Sequence, residues 1–393
     1  MAIHPVGLIR FLTIQTQERR KRDPQSVVLR SPPPSEMSEL ISELPSSPST
    51  QAKIVSHPSS SRTLTRRDWT NLDDGPAGLI AERLLANDVA DYVCFHAVCR
   101  PWRLCSTDPR EHNVPDRRFH PRQWIMLRGT GHRGRRCLIN SSTGCSRHVD
   151  LPELDGHDVF GPTMEGLLVL LHRATWAVRL LNPLTRQAAD LPPATTLPNQ
   201  NPDPKTPRKV LHMSGAGLAD DSTVAIDVDL YGIVVAKPSD GHWTVVSRGP
   251  YFLQSLSFAD RFYGLTNKAV MVLETSANQP PRLVIAADLP TSLDRTRNYD
   301  FHLVDNGGEL LFVYRGQGNN DNEDTKYEVY RVDLDSRKMV PINGLGGRAV
   351  FIGFEHALSV SPSVFPSIGT DAIYLGFDMK TPEFAPGDIF AFA

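Results

Sequence analysis

Cysteine is scarce in this 393-residue chain: there are five, an odd number, and no two stand at C-x-x-C spacing. That argues against a disulfide framework or a zinc module of the usual spacing and favours a reducing compartment, cytoplasm and/or nucleus. Charge of one sign is also lacking, with 42 Lys+Arg against 44 Asp+Glu, so neither nucleic acid nor a membrane surface is expected as a partner. No apolar run approaches the roughly 18 residues a membrane helix needs, and a soluble protein is expected. H-E-x-x-H, G-x-S-x-G and P-loop patterns do not occur, which removes the common local signatures of hydrolases and kinases. A non-enzymatic protein without cofactor or metal is the expectation.

Serine and proline dominate from Ser31 to Ser61, with almost no aromatic residues. Such a stretch cannot bury enough surface to offset its ordering entropy. Val6 to Ile14 is mildly apolar, but the basic run Arg19, Arg20, Lys21, Arg22 follows it. A secretory signal carries its charge before the apolar core, not after. Residues 1–66 are therefore expected to form a disordered tail.

Order is expected to begin near Trp69. Leu79, Ile80, Leu84 and Leu85 recur at helical spacing, and Asn87 or Asp88 can cap a second helix carrying Val89, Tyr92, Val93 and His96. Pro101 is tolerated only in a first turn, so the chain should break near Val98 and Cys99 before a third helix with Trp102 and Cys105. Three helices in about forty residues are too few to fold unaided. Their apolar stripe must be covered by the following domain or by a partner protein.

The series Leu72, then Leu79-Ile80-Ala81-Glu82-Arg83-Leu84-Leu85, then Asp88-Val89, then Val98-Cys99-Arg100-Pro101-Trp102-Arg103 resembles the F-box. In F-box proteins this segment binds the small Skp adaptor of cullin-based ubiquitin ligases. The resemblance implies that Leu72, Leu79, Ile80, Leu84, Leu85, Val89, Val98, Cys99 and Trp102 make or support the adaptor contact. Two features depart from the pattern. The usual Leu-Pro opening reads Leu72-Asp73, and Gly75, Pro76 and Gly78 crowd the first helical turn, so helix one is expected to start late. The segment is assigned to residues 67–108.

From Pro121 the chain turns to short β-rich runs separated by Gly, Pro, Asn and Asp. Candidate strands include Trp124 to Leu127, Leu167 to Leu171, Val178 to Leu181, Gly232 to Ala236 and Tyr327 to Asp333. An internal repeat underlies them: "CLINSSTGCSRHVDLP", "RLLNPLTRQAADLP" and "YRVDLDSRKMVPI" each place Asn140, Asn182 or Asp333 at the end of a strand and a hydroxyl residue three further on. Asn or Asp there can bond the backbone two residues ahead, so each motif encodes a hairpin. Degenerate copies centre near Ser239 and Ser276. The average step is about 48 residues, close to the roughly 50 of a kelch blade. Residues 121–393 are expected to form an all-β, kelch-type, β-propeller-like target-binding domain of about five or six blades, with an open β-sandwich as the alternative. The end at Ala393, soon after Asp388-Ile389-Phe390, leaves ring closure open. The same motifs, with "GELLFVYRG" and "AIYLGF", are similar to the uncharacterised β-domain (the domain of unknown function 295 type) of a large plant family of F-box proteins.

Gly129, Gly131 and Gly134 fit G-x-G-x-x-G, but Arg135 to Asn140 reads as a strand where a nucleotide site needs a helix. Arg133, Arg135 and Arg136 are candidates for holding an acidic or phosphorylated target, since guanidinium forks pair with carboxylate and phosphate. Cys94, His96, Cys99 and Cys105 do not stand at converging metal spacings. Asp305-Asn306-Gly307-Gly308 marks a hairpin turn, and the acidic stretch from Gly316 to Asp324 an exposed loop.

The expectation is a substrate-recognition subunit of a Skp-cullin-F-box ubiquitin ligase, with the Skp adaptor and an unknown target protein as partners. Two alternatives stay open: a propeller scaffold whose helices pack on its own first blade, and a propeller hydrolase or oxidase with inward-facing carboxylates or His around the axis.

Overall fold

A computed structural model describes residues 74–375, except 112–115, 128–134, 162, 198–212, 229–231, 248, 250, 277, 294–300, 317–325 and 354–356. The expected tail, Leu72, the glycine-rich loop with Arg133, and nearly all of the acidic loop lie outside the described residues.

Three helices come first: α1 (Asp74–Asn87), α2 (Val89–Val98) and α3 (Arg100–Leu104). Asp88 is extended and its carboxylate accepts from the Ala90 amide at 2.8 Å, a side-chain cap that starts α2. Cys99 is extended between α2 and α3, and Pro101 falls in the first turn of α3 as expected. Helix one does not start late. It already includes Gly75, Pro76 and Gly78, because proline costs little where its missing N–H would have had no helical partner.

The remaining chain forms six sheets. Blade one holds β1 (Trp124–Leu127), β2 (Arg135–Asn140) and β3 (Ser146–Asp150). Blade two holds β4 (His157–Phe160), β5 (Leu168–His172), β6 (Val178–Leu181) and β7 (Ala188–Leu191). Blade three runs from β8 (Met213–Leu218) through β9 (Val224–Val228) and β10 (Gly232–Ala236) to β11 (Thr244–Ser247). Blade four comprises β12 (Gln254–Phe258), β13 (Arg261–Leu265), β14 (Ala269–Ser276) and β15 (Gln279–Asp288). In blade five, β16 (Phe301–Asp305), β17 (Leu310–Gly316), β18 (Lys326–Asp333) and β19 (Lys338–Ile342) follow the same antiparallel meander. Blade six differs: β20 (Ala349–Ile352) pairs antiparallel with β21 (Ala357–Val360) and parallel with β22 (Ala372–Leu375).

Packing between neighbouring sheets makes the ring. Trp124 and Leu138 of blade one meet Leu168 and Leu181 of blade two, and Val169 and Leu180 meet Ile226 and Val234 of blade three. Ala225 and Ile233 face Phe262 and Leu273, Val270 and Leu265 face Leu303 and Phe312, and Val313 faces Val350 and Ile373. Phe351, Val360 and Phe365 then pack on Ile139 of blade one, so the ring closes with six blades. Each blade is covered on both faces, and middle strands such as β9 and β10 are buried along their whole length. Near the axis strands approach closely. A Cβ on Gly215 or Gly217 of β8 would stand 2.1 or 2.0 Å from the Ser255 or Ser257 hydroxyl of β12, so a larger residue there would have to turn that hydroxyl away.

The repeated motif is the hairpin between the last two strands of a blade, one in each of blades one to five. Asn140 Oδ1 accepts from the amides of Ser142 and Thr143 at 2.9 and 3.0 Å, Asn182 Oδ1 from Leu184 and Thr185 at 3.0 and 3.2 Å, and Asp333 Oδ1 from Asp335 and Ser336 at 3.1 and 3.0 Å. Among the described residues, no helix is long and apolar enough to cross a membrane.

Candidate functional site: an open helical face and an axial depression

The helices divide their apolar residues between two faces. Ala77, Ala81, Val89, Tyr92 and Phe95 are buried together with Phe119 of the connecting 3-10 turn, and Leu184 from the outer hairpin of blade two packs on them. Tyr92 donates its hydroxyl to the Thr107 carbonyl at 2.7 Å, and Phe95 stacks on Trp102 with centroids 4.6 Å apart. Burial pushes the Tyr92 phenol up and the His96 imidazole down. Arg147 of β3 reaches Asp91 of α2 at 2.6 Å, and the Asp88 carboxylate accepts from Trp124 Nε1 at 2.9 Å and Asn140 Nδ2 at 3.1 Å. The inner face is therefore docked on blades one and two.

The outer face is bare. Of the six large apolar side chains left exposed among the described residues, four lie on these helices: Leu79 (69%), Ile80 (42%), Val98 (58%) and Leu104 (75%). Gly78 lies against the Cys105 carbonyl, so α1 packs closely on the end of α3. Leu84, Leu85, Cys99 and Trp102 are half-buried at the boundary, whereas Val89 faces inward at 6% exposure and is in place to support the helices rather than touch a partner. Leu104 escaped the sequence reading. An apolar residue just before a helix end would have been the signal.

The second feature lies on the ring axis, at the end of the propeller where the helices sit. A depression of about 600 Å³ opens there, lined by the β4–β5 turn (Thr163, Met164, Glu165), the β12–β13 corner (Ser257, Phe258, Asp260), Arg122, Asp305, Arg348 and the hydroxyls of Ser361 and Ser363. Arg122 pairs with Asp260 at 2.9 Å, and Arg117 binds the same carboxylate at 2.9 Å. Burial opposes ionisation of Asp260, but the two guanidinium groups, Arg122 foremost, outweigh it and hold this carboxyl below the ordinary range.

Glu165 is the odd member of that lining. It is 2% exposed, and burial pushes its carboxyl up, although the Thr163 and Ser257 hydroxyls lie beside it. Its Oε2 accepts no hydrogen bond among the described residues. The turn that carries it is stiff. Gly166 has φ +77°, and a Cβ there would stand 2.3 Å from the Pro121 carbonyl oxygen. In sequence the signal is a lone carboxylate between Gly161, Gly166 and the run Leu167 to Leu171. Among the described residues, no His, Cys or Lys lines the depression, and no group of three His, Cys, Asp or Glu is placed to hold a metal ion. The lining presents the carboxylates of Glu165, Asp260 and Asp305, the guanidinium groups of Arg122 and Arg348, and serine and threonine hydroxyls.

Arg135 and Arg136 begin β2, at the end of the strand opposite Ser141 and Ser142. They are on the other side of the ring from the depression. Cys94 is exposed and contacted by Arg147 at 3.0 Å, not gathered with the other thiols.

Comparison with known proteins gives one family. Residues 138–393 match the family model described as KIB1-4 beta-propeller, so the match begins within β2 and leaves the helices outside it. No curated protein matches. Among solved structures, a chain in the structure of S. cerevisiae Dbp5 bound to Nup159, Gle1, IP6 and ADP is similar at a TM-score of 0.31 and 7% identity, over 58% of this chain and 59% of that one. A streptogramin B lyase is similar at 0.31 and 13%, over 60% and 71%. An exported protein of Bacteroides fragilis is similar at 0.28 and 8%, over 56% and 75%. The chain spans about three fifths of the length of the first of these.

Proposed function

The chain belongs to the KIB1-4 β-propeller family, and from that premise we propose that it is a substrate receptor of a Skp-cullin-F-box ubiquitin ligase. Helices α1 to α3 dock the Skp-type adaptor, the propeller holds the target protein, and ubiquitin transfer occurs on other subunits. The observation that carries this reading is that four of the six exposed large apolar side chains among the described residues, Leu79, Ile80, Val98 and Leu104, fall on one short helical segment whose other apolar residues are already packed. Apolar side chains concentrated on one small exposed face are the usual mark of a protein interface. The sequence resemblance of this segment to the F-box names the partner. The five free thiols fit a receptor that works in the cytoplasm or nucleus.

The test is co-purification of the full chain with a Skp-type adaptor. Val98→Asp and Leu79→Asp should each abolish it, because each removes about 1.5–3 kcal/mol of apolar burial and forces a charge into the contact. Adaptor retained by both variants refutes the assignment. A second reading, a propeller scaffold outside any ligase, is favoured by the docking of α2 on blade one through Asp88 and Arg147. It is chosen if the wild-type chain captures no adaptor.

A further inference from the structure

Three polar features of the propeller compete as ligand sites. The cleft of about 530 Å³ between blades three and four is lined by Asp220, Asp221, Asp240 and Asp260, but these carboxylates are engaged. Asp220 accepts from the Ser222 and Thr223 amides, Asp240 from the Lys237 amide, and Asp221 and Asp260 pair with Arg117. The Arg135–Arg136 pair begins β2 and lines neither of the two clefts. Only the axial depression holds a buried ionisable group with an unused acceptor.

Glu165 lines that depression at 2% exposure, with Oε2 free of hydrogen bonds and in no ion pair among the described residues. The nearest guanidinium influence, Arg122, is already committed to Asp260. Ser257, beside the carboxyl, donates its proton to the Leu218 carbonyl at 3.0 Å. The Thr163–Leu167 turn that carries it is closed by two 2.7 Å backbone hydrogen bonds, and the carboxylate is buried there. A buried carboxylate held in place without a counter-charge is costly, and a positive group entering from solvent would remove that cost. The approach to it is amphipathic. Met164 and Phe258 offer partly buried apolar surface, and Ser361 and Ser363 offer hydroxyls near the mouth. That sequence of surfaces suits a side chain with a methylene stem and a charged tip.

We propose that the axial depression binds an organic cation, an alkylammonium or guanidinium group whose stem lies on Met164 and Phe258 and whose charge pairs with Glu165. In the receptor reading the cation is a Lys or Arg side chain on the target protein. The inference rests on that reading only for the identity of the carrier. Because the cation site is measured on the chain alone, without adaptor, its failure and the failure of adaptor docking are read separately.

The test uses the full chain and four probes: acetyl-Gly-Lys-Gly-amide, its Arg and norleucine counterparts, and n-butylammonium, each titrated at neutral pH by calorimetry or chemical-shift change. The charged peptides should bind at least about tenfold more tightly than the norleucine peptide, since a hydrogen bond to a charged group contributes roughly 1.5–3 kcal/mol. Glu165→Gln should remove that preference while leaving the norleucine peptide unchanged. Ser363→Trp, at an exposed position on the mouth, should weaken all the peptides with Glu165 intact and is not expected to disturb folding. n-Butylammonium bound as tightly as the peptides assigns the site to free small cations, and peptides bound more tightly assign it to a protein side chain. Charged probes that bind no better than norleucine, or that bind Glu165→Gln equally well, overturn the proposal.

Discussion

Trp124 donates its indole N–H to the Asp88 carboxylate at 2.9 Å, across the boundary between the helices and the propeller. The same carboxylate caps α2 through the Ala90 amide and accepts from the Asn140 amide nitrogen, itself the turn residue of the first repeat motif. One side chain therefore fixes where α2 begins and where it sits.

Asp88→Ala should cost about 2–3 kcal/mol, from a lost cap of about 1 kcal/mol and from the buried Trp124 and Asn140 donors left unsatisfied. Asp88→Asn should recover part of it. Urea denaturation gives the free energy, and hydrogen exchange in α2 should rise with it. Unchanged exchange in α2 would show that the helices are held by their apolar face alone.

The two faces of the helical segment should respond oppositely to mutation. Phe95→Ala removes a buried ring stacked on Trp102 and should lower stability by about 3–5 kcal/mol. Ile80→Asp and Leu104→Asp, on the exposed face, should stay within about 0.5 kcal/mol of wild type while losing adaptor. Thermal melts of the purified chain beside the co-purification separate the two effects. A large loss of stability from Leu104→Asp would contradict the open face.

How much of this was legible in the sequence follows from the range of each signal. The Asn140, Asn182 and Asp333 hairpins are local: one side chain bonds amides two and three residues ahead, so residue type and spacing suffice. The same holds for the Asp88 cap and the break at Cys99. Burial that depends on the ring was not legible. Val89 and Val98 read alike along the helix, yet one meets the propeller side and the other solvent. Closure was hidden because blade six adds β22 in parallel to β20 and packs on β2, more than 200 residues away in sequence. Glu165 was missed because its setting is assembled from five blades, and only Gly166 beside it hinted at a tight approach.

Closure gives its own prediction. Phe365 is buried at the seam with Ile139 and Val360, beside the Phe351–Tyr374 stack at 4.8 Å. Phe365→Ala should cost about 3–5 kcal/mol by leaving a cavity, and proteolysis should first cut the segment after Gly344. Cleavage appearing first in blades two to four would place the weakest contact elsewhere.

The last prediction concerns pH and isolates Glu165. Burial raises its carboxyl in the folded state, so the native chain holds a proton that the unfolded chain has already released. Stability from this group is present below the ordinary glutamate range and is lost as pH rises through the raised folded value. Asp260 and Asp220 have the opposite sign: burial opposes their ionisation, but Arg122 with Arg117 for the first, and the Ser222 amide with the Thr223 hydroxyl and amide for the second, hold them low. Their contribution is lost as pH falls. Comparing wild type with Glu165→Gln cancels the aspartates. The advantage of the variant should grow as pH climbs above the ordinary range, by about 1.4 kcal/mol for each unit that folding raises the carboxyl, and then level off. Urea unfolding of both proteins across pH 4 to 9 measures it, pH 4 to 9 being roughly the span in which a buried carboxyl titrates. A difference that stays constant over that span would mean the Glu165 carboxyl is solvated or paired in solution.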